Sequence, residues 1–331
     1  DEYAGQIVVA VDAKVVSAAV DNDKYKWLQD ASLVVVDEAH RGGSRTYTKI
    51  LSWLETGVKL FKGKTLDKRP VLGLTATPAK KGIEARFGPR MIRIPDDVIG
   101  EGMTDVDYLR SIQVLAIARH IELPGVTVDG LGDVVVADDD EDEIPAESSS
   151  KKRPSIWLPA AVEEQLAEDR DRNASIIASI LELDPSWPVI VFALSVSHSQ
   201  LLAALLAKNG VKSASVSAET SPGIRKLHIS DFRSGKIRVL TNYGVLTTGF
   251  DAPKVQAIYI TRPTFSKSLY LQMIGRGLRG PVNGGTNECL IVDIADNFTN
   301  MNIDTAYKEM GDWWTSSEDL TGNSLDDSAE T

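Results

Sequence analysis

Between Val189 and Val292 the sequence switches repeatedly between two periods, and this alternation limits the fold more than any other feature. Val189–Phe192, Lys212–Val216, Arg238–Leu240, Ala257–Ile260 and Cys289–Val292 read as short aliphatic strands. Between them lie helical patterns, one rich in Leu and Ala that ends before Gly210 and another that runs through Phe232. A further helical pattern, from about Pro159 to Leu183, precedes the first strand. Strands that alternate with helices argue for a parallel, doubly wound sheet.

Upstream, Ile7-Val8-Val9-Ala10-Val11 reads as a strand, Asp23 to Gln29 as a short helix, and Leu33–Val36 and Val71–Leu74 as two more buried strands. The segment Leu33-Val34-Val35-Val36-Asp37-Glu38-Ala39-His40 carries the most chemistry, because an aliphatic run opens directly onto two carboxylates. In open α/β sheets ligands lie beyond the carboxyl ends of strands. Asp37 would then reach a nucleotide crevice as a magnesium partner, and Glu38 as the group that activates water. A surface turn with two solvated carboxylates is the competing reading, so the other segments have to decide.

Those segments are Val71-Leu72-Gly73-Leu74-Thr75-Ala76-Thr77-Pro78, Thr247-Thr248-Gly249-Phe250-Asp251, and Gln272-Met273-Ile274-Gly275-Arg276-Gly277-Leu278-Arg279. Taken in order with the Asp-Glu segment, they resemble motifs II, III, V and VI of the superfamily 2 helicases of the DEAD/DEAH-box type. The resemblance runs from about residue 5 to about residue 300. Around motif VI the spelling is most similar to bacterial DNA helicases and restriction-type translocases. The resemblance implies an α/β chain of two RecA-like lobes, each a doubly wound parallel sheet, with the first lobe incomplete at its N-terminus. It also implies ATP and Mg2+ as cofactors. Asp37 would hold the metal, Glu38 would be the general base, and His40 would couple to Thr75 and Thr77. Gly249 and Asp251 would contact the ribose or the facing lobe, although Asp251 could instead cap the turn into Ala252-Pro253. Gln272 would serve the nucleotide, and Arg276 and Arg279 would act as arginine fingers on the γ-phosphate.

Motif VI also makes a geometric argument. Gln272, Arg276 and Arg279 are spaced by four and three residues, so on one continuous helix they share a face. Leu271, Ile274 and Leu278 would fall on the opposite face and pack on the sheet. Gly275 and Gly277 each cost about 1 kcal/mol against Ala in a helix interior. That cost points to close approach by another lobe or a ligand.

A polyanionic partner needs donors, and the candidates are the hydroxyls and amide that follow strands of the second half: Ser195, Ser197, Thr241 and Asn242. The net charge of -11 argues against such a partner only until its distribution is considered. Residues 133–147 carry eight acidic and no basic side chains, and residues 301–331 carry eight acidic and one basic. The remainder of the chain is therefore +4, which allows a basic groove. The single cysteine, Cys289, excludes an internal disulfide and reads as a small buried apolar residue. No apolar run approaches the roughly 18 to 20 residues of a membrane span, so a cytoplasmic location with no membrane partner is expected.

Two features depart from the family pattern. Gly63-Lys64-Thr65 spells the end of a phosphate-binding loop, but the glycine needed at position 58 is Val58, and Lys64 is expected in a solvated loop. Only 36 residues precede Asp37, so the loop is expected upstream of the chain as given, and these residues alone are expected to hydrolyse no ATP. Val11 also stands where the family has a threonine that contacts nucleic acid.

Four segments are expected: a partial first lobe over 1–120, a linker with an acidic insertion over 121–158, a second lobe over 159–300, and an acidic tail over 301–331. The expected function is an ATP-dependent helicase or translocase acting on nucleic acid, with DNA preferred to RNA. The alternatives are the motor of a restriction or phage-defence system partnered by a separate nuclease, and a non-catalytic nucleic-acid-binding protein with a decayed nucleotide site.

Overall fold

The computed structural model describes residues 7–9, 15–16, 23–39, 45–55, 60–61, 64–65, 69–75, 87, 92, 94–100, 102–128, 158–246, 252, 254–298, 305–308 and 310. They fall into two compact units, residues 1–93 with 137–155, and residues 94–136 with 156–331.

In the first unit a 3-10 helix, Asp23–Asp30, leads to strand β1 (Val34–Val36) and helix α1 (Arg45–Leu54). The strands β2 (Leu60–Phe61), β3 (Lys64–Thr65) and β4 (Val71–Gly73) follow. β1 and β4 pair in parallel, Val34 against Val71 and Val36 against Gly73, as crossover strands should. Ile50, Leu51 and Leu54 of α1 pack with Val36 on one face of this pair. On the other face Leu33, Val35, Leu72 and Leu74 are exposed, so among the described residues these strands are covered on one side and not on both. Two other expectations are corrected. Ile7, Val8 and Val9 are not in a strand, and Ile7 and Val9 are more than nine-tenths exposed. Lys64 lies in β3, hydrogen-bonded antiparallel to β2, and not in a loop.

The second unit opens with α2 (Asp96–Ile99) and α3 (Asp105–Ser111), the latter closed at its start by a reciprocal Thr104–Asp107 capping box. Then come β5 (Ile117–Val128), α4 (Ala160–Glu168), α5 (Arg170–Glu182), β6 (Val189–Phe192), α6 (Val196–Lys208), β7 (Ser213–Ser217), α7 (Pro222–Arg233), β8 (Val239–Tyr243), β9 (Ala257–Ile260), α8 (Lys267–Ile274) and β10 (Glu288–Phe298). The six strands form one sheet in the order β5-β10-β9-β6-β8-β7. Every neighbouring pair is parallel. Alternate residues serve opposite faces: Val189, Val191, Ala257 and Tyr259 pack with Ile176, Ile180, Leu202 and Leu206 of α5 and α6. Ile190, Phe192, Ile258 and Ile260 pack with Phe232 of α7 and Tyr270, Met273 and Ile274 of α8. Both faces are buried, which is why these strands are apolar at every position. Each buried Val, Ile or Phe contributes about 1.5–3 kcal/mol.

This unit begins earlier than the sequence reading placed it. Residues 94–120 belong to it, and 121–128, assigned to a linker, are the second half of β5. Pro124 and Gly125 disguised that strand. Proline is tolerated here because β5 is an edge strand, and the register with β10 shifts between Ala295 and Asn297. The acidic run 138–143 and Trp313-Trp314 lie outside the described residues.

Buried polar pairs fix the start of α5. Arg172 donates from Nε and Nη2 to both carboxylate oxygens of Asp296, at 2.9 and 2.8 Å, and from Nη2 to the Thr261 carbonyl at 2.6 Å. Next to it, His198 accepts the Leu194 N–H at Nδ1, which leaves Nε2–H to donate to Asn173 Oδ1 at 2.9 Å. Burial, with a smaller contribution from the Arg172 charge, pushes the His198 pKa down from 6.5 to about 3. The imidazole is thus neutral in the fold, whereas the unfolded chain takes up a proton near pH 6.5. Its contribution to stability is complete above that pH and is lost as pH falls toward 3. We expect the melting temperature to fall between pH 7 and 4, and His198→Gln to flatten that fall. An unchanged slope in the variant would remove His198 as its source.

Candidate functional site

In the first unit the carboxylates stand where the strand reading put them. β1 ends at Val36, and Asp37 follows, exposed, with its Oδ1 accepting the Glu38 N–H at 2.9 Å. Glu38 adopts φ 52°, a left-handed conformation that costs a non-glycine residue about 1–2 kcal/mol. The turn is held from both sides, since Leu74 N–H donates to the Val36 carbonyl and Ala39 N–H to the Leu74 carbonyl, each at 2.8 Å. Two backbone bonds therefore join the Asp37–Glu38 turn to the residue just before Thr75. This is a direct link between two of the sequence-predicted segments, although His40 and Thr77 themselves lie outside the described residues.

The second unit carries candidates at both ends of its sheet. Beyond the carboxyl end of β6, Ser195 caps α6, its Oγ accepting the His198 N–H at 3.1 Å and lying 2.9 Å from Ser197 Oγ. Ser197 is exposed and Ser195 half-buried. Thr241 and Asn242, expected beside them, are corrected: both sit inside β8 and are fully buried. The Thr241 hydroxyl donates to the Ser199 carbonyl at 2.7 Å and the Asn242 amide to the Val191 carbonyl at 3.0 Å. These groups lock β8 to α6 and β6, and as placed they can reach no outside phosphate.

Sequence reasoning missed one residue at the end of a strand and another two residues past the end of a second strand. Tyr243 closes β8 and Arg262 follows β9, and these strands flank β6. The Arg262 guanidinium lies over the Tyr243 ring, 5.9 Å from its centroid, and both residues are half-buried. Desolvation lowers the Arg262 pKa from its usual value, while Tyr243 and Glu163 act in the opposite direction. A ring and a planar cation beside two hydroxyls at the carboxyl end of one sheet can take a nucleobase and its phosphates. The signal was available in Tyr243 and in Arg262-Pro263, but only strand order makes them neighbours. Gly249 and Asp251, in the connection from β8 to β9, lie outside the described residues.

The arginine segment sits at the opposite, amino-terminal end. α8 stops at Ile274, Gly275 is its C-cap, and Arg276 follows in a turn. Arg279 is off the helix and forms an antiparallel bridge with Leu115. The expectation that Gln272, Arg276 and Arg279 share one helix face is therefore corrected; Gln272 alone lies on the helix. All three are half-buried. The apolar anchor is as expected, with Ile274 and Leu278 in the core and Leu271 packed against it. Gly277 is corrected as well, because a Cβ there would collide with Cys289 Sγ and meet Ile258 Cδ1 at 3.0 Å. The close approach comes from the unit's own β10 and β9, not from another lobe or ligand. Cys289 is buried as expected, and burial raises its thiol pKa.

α8 spans the sheet between the two ends, roughly 12 Å for its eight residues. Its Tyr270 hydroxyl donates to the buried Asp293 Oδ2 at 2.6 Å, and His120 Nε2 lies 3.0 Å from the same oxygen. Tyr307 donates to Glu122 beside them at 3.1 Å. Burial raises the pKa of Asp293 and of Tyr270. The helix that leads into the arginine segment is thereby pinned to β10 and β5 by polar as well as apolar contacts.

Residues 172–280 match the helicase conserved C-terminal domain. A Schizosaccharomyces pombe protein, irc3, provisionally named a mitochondrial ATP-dependent helicase, is 29% identical over 280 residues, which are 82% of this chain and 39% of that protein. Its Saccharomyces cerevisiae counterpart in name, IRC3, is 27% identical over 79% of this chain and 34% of its own length. The chain thus spans between a third and two fifths of these relatives. Among solved structures, a fragment of an HsdR subunit of a type I restriction enzyme from Vibrio vulnificus aligns with TM-score 0.53 at 20% identity, over 82% of this chain and 45% of that one. Saccharomyces cerevisiae Dbp5 bound to RNA aligns with TM-score 0.52 at 13% identity, over 93% and 63%. At these identities the structural likeness speaks for the fold alone.

Proposed function

We propose that this protein, whose residues 172–280 match the helicase conserved C-terminal domain, couples ATP hydrolysis to movement along nucleic acid, with DNA as its track. The observation that carries this reading is the placement of two donor sets at opposite ends of one sheet, bridged by α8. Ser195, Ser197, Tyr243 and Arg262 stand at the carboxyl end, and Arg276 and Arg279 at the amino end. A motor needs this separation, since nucleotide and track must be held at once and sensed through a rigid element between them.

The donor chemistry fits ATP and Mg2+. Asp37 offers an exposed carboxylate at a strand end, a hard oxygen ligand suited to magnesium, which would neutralise phosphate charge when bound. Glu38 is the general base that orients and deprotonates the attacking water, held in a strained turn that Ala39 ties to Leu74. Arg276 and Arg279 supply planar guanidinium forks to the charge that develops on the γ-phosphate. DNA is preferred because the spelling of Gln272–Arg279 is most similar to DNA helicases and translocases.

The track site is tested by titrating the chain with mixed-sequence single-stranded DNA while following fluorescence anisotropy. Affinity should fall as salt rises, and Tyr243→Ala or Arg262→Ala should weaken binding by about 5- to 150-fold, the size of one stacked base. Binding that ignores both salt and these substitutions would sink the assignment.

A further inference from the structure

Arg279 is held by a part of the chain that precedes the sheet altogether. After α3 ends at Ser111, the backbone turns through Gln113, which takes φ 57°, a left-handed conformation uncommon outside glycine. Residues Gln113–Ala116 then run antiparallel to Leu278–Gly280 before entering β5. Ala116 N–H donates to the Leu278 carbonyl at 3.0 Å, Gly280 N–H to the Val114 carbonyl at 3.0 Å, and Val282 N–H to the Gln113 carbonyl at 3.2 Å. The Asn283 side-chain amide adds a bond to the Val114 carbonyl at 3.1 Å. From the other side, Thr286 N–H donates to the Arg279 carbonyl at 3.0 Å. A Cβ on Gly280 would overlap the Gln113 carbonyl, so the two segments meet too closely for any other residue there.

Arg276 is placed by the end of α8, but Arg279 lies beyond it, in a segment whose backbone is set by its bonds to Gln113–Ala116. We propose that the Gln113–Ala116 strap, with Gly280 and Asn283 as its seat, is the positioning element for Arg279. The catalytic setting of this arginine then depends on the segment by which the chain enters the second unit. The inference rests on the reading of Arg279 as a phosphate-sensing arginine and adds what holds it. Strap residues touch no substrate; they act through Arg279. Because α3 feeds the strap directly, with Val114 and Leu115 N–H both donating to the Leu109 carbonyl at 2.9 and 3.1 Å, a shift of α3 moves the seat of Arg279.

The test compares ATP turnover of the full-length protein in four forms: Gly280→Ala, Asn283→Ala, Arg279→Ala, and Gly280→Ala combined with Arg279→Ala. Gly280→Ala should lower kcat at least tenfold with KM for ATP and affinity for single-stranded DNA within twofold. Added to Arg279→Ala, it should cause no further loss. Asn283→Ala, which removes one hydrogen bond at an exposed site, should lower kcat two- to fivefold with KM unchanged, and it decides the question if Gly280→Ala fails to fold. Additive losses in the double variant, or an Asn283→Ala effect on KM alone, would overturn the strap while leaving the arginine reading intact. An Arg279→Ala variant with normal kcat would overturn the arginine reading, and the strap with it.

Discussion

Replacing Arg172 with methionine is expected to destabilise the second unit by about 3–5 kcal/mol, the usual consequence of leaving one member of a buried ion pair alone. Both side chains are essentially inaccessible, 0% and 1% exposed, and their pairing is bidentate. Removing the guanidinium also strips the Thr261 carbonyl of its 2.6 Å donor. Among the described residues, Asp296 would be left with a buried charge and only the Val126 N–H, at 3.2 Å, to satisfy it. The double replacement Arg172→Met with Asp296→Leu should recover part of the loss, because no charge is then buried alone. Recovery should stay incomplete, since the Thr261 carbonyl and Val126 N–H each lose a partner worth about 1–3 kcal/mol when buried. Urea denaturation of the unsubstituted protein and the two variants measures this directly. A double variant no better than Arg172→Met would show that the pair's charge is not what the single substitution disturbs.

A second large effect is expected at Arg276. Arg276→Ala should slow ATP turnover of the full-length protein by about 10³- to 10⁵-fold, the range for a guanidinium that stabilises phosphoryl-transfer charge. Arg276→Lys should rescue little, because an ammonium cannot reproduce the planar fork. KM for ATP should change far less than kcat, because the interaction belongs to the transition state. A variant that lost affinity and kept kcat would place Arg276 in ground-state binding instead.

These two arginines also mark where sequence and structure part company. Val189–Phe192 and Ala257–Ile260 were legible to the residue, since strands buried on both faces leave a continuous aliphatic run. β5 was half hidden, because an edge strand tolerates Pro124 and a bulge, and those are the signals by which a strand is otherwise rejected. In the candidate site, positions tied to strand ends were legible: Asp37 and Glu38 follow β1, and Ser195 follows β6. Thr241 and Asn242 were misplaced because β8 runs three residues past Leu240, to Tyr243, which is enough to move a polar group from the rim of a sheet to its interior. Period alone extended α8 through Arg279, although the helix stops at Gly275 and the remaining segment is shaped by Gln113–Ala116, well over a hundred residues away in sequence. The pairing of Arg172 with Asp296 and of Arg262 with Tyr243 could not be read locally, because each pair exists only once strand order has been set.

The central claim, a nucleic-acid motor driven by ATP, is tested most directly by ATP hydrolysis in the full-length protein titrated with single-stranded DNA. The account predicts turnover that rises with DNA and is abolished by Glu38→Gln, with ATP binding retained, since the amide keeps the shape of the side chain and removes the base. Turnover indifferent to DNA, or surviving Glu38→Gln, would contradict it.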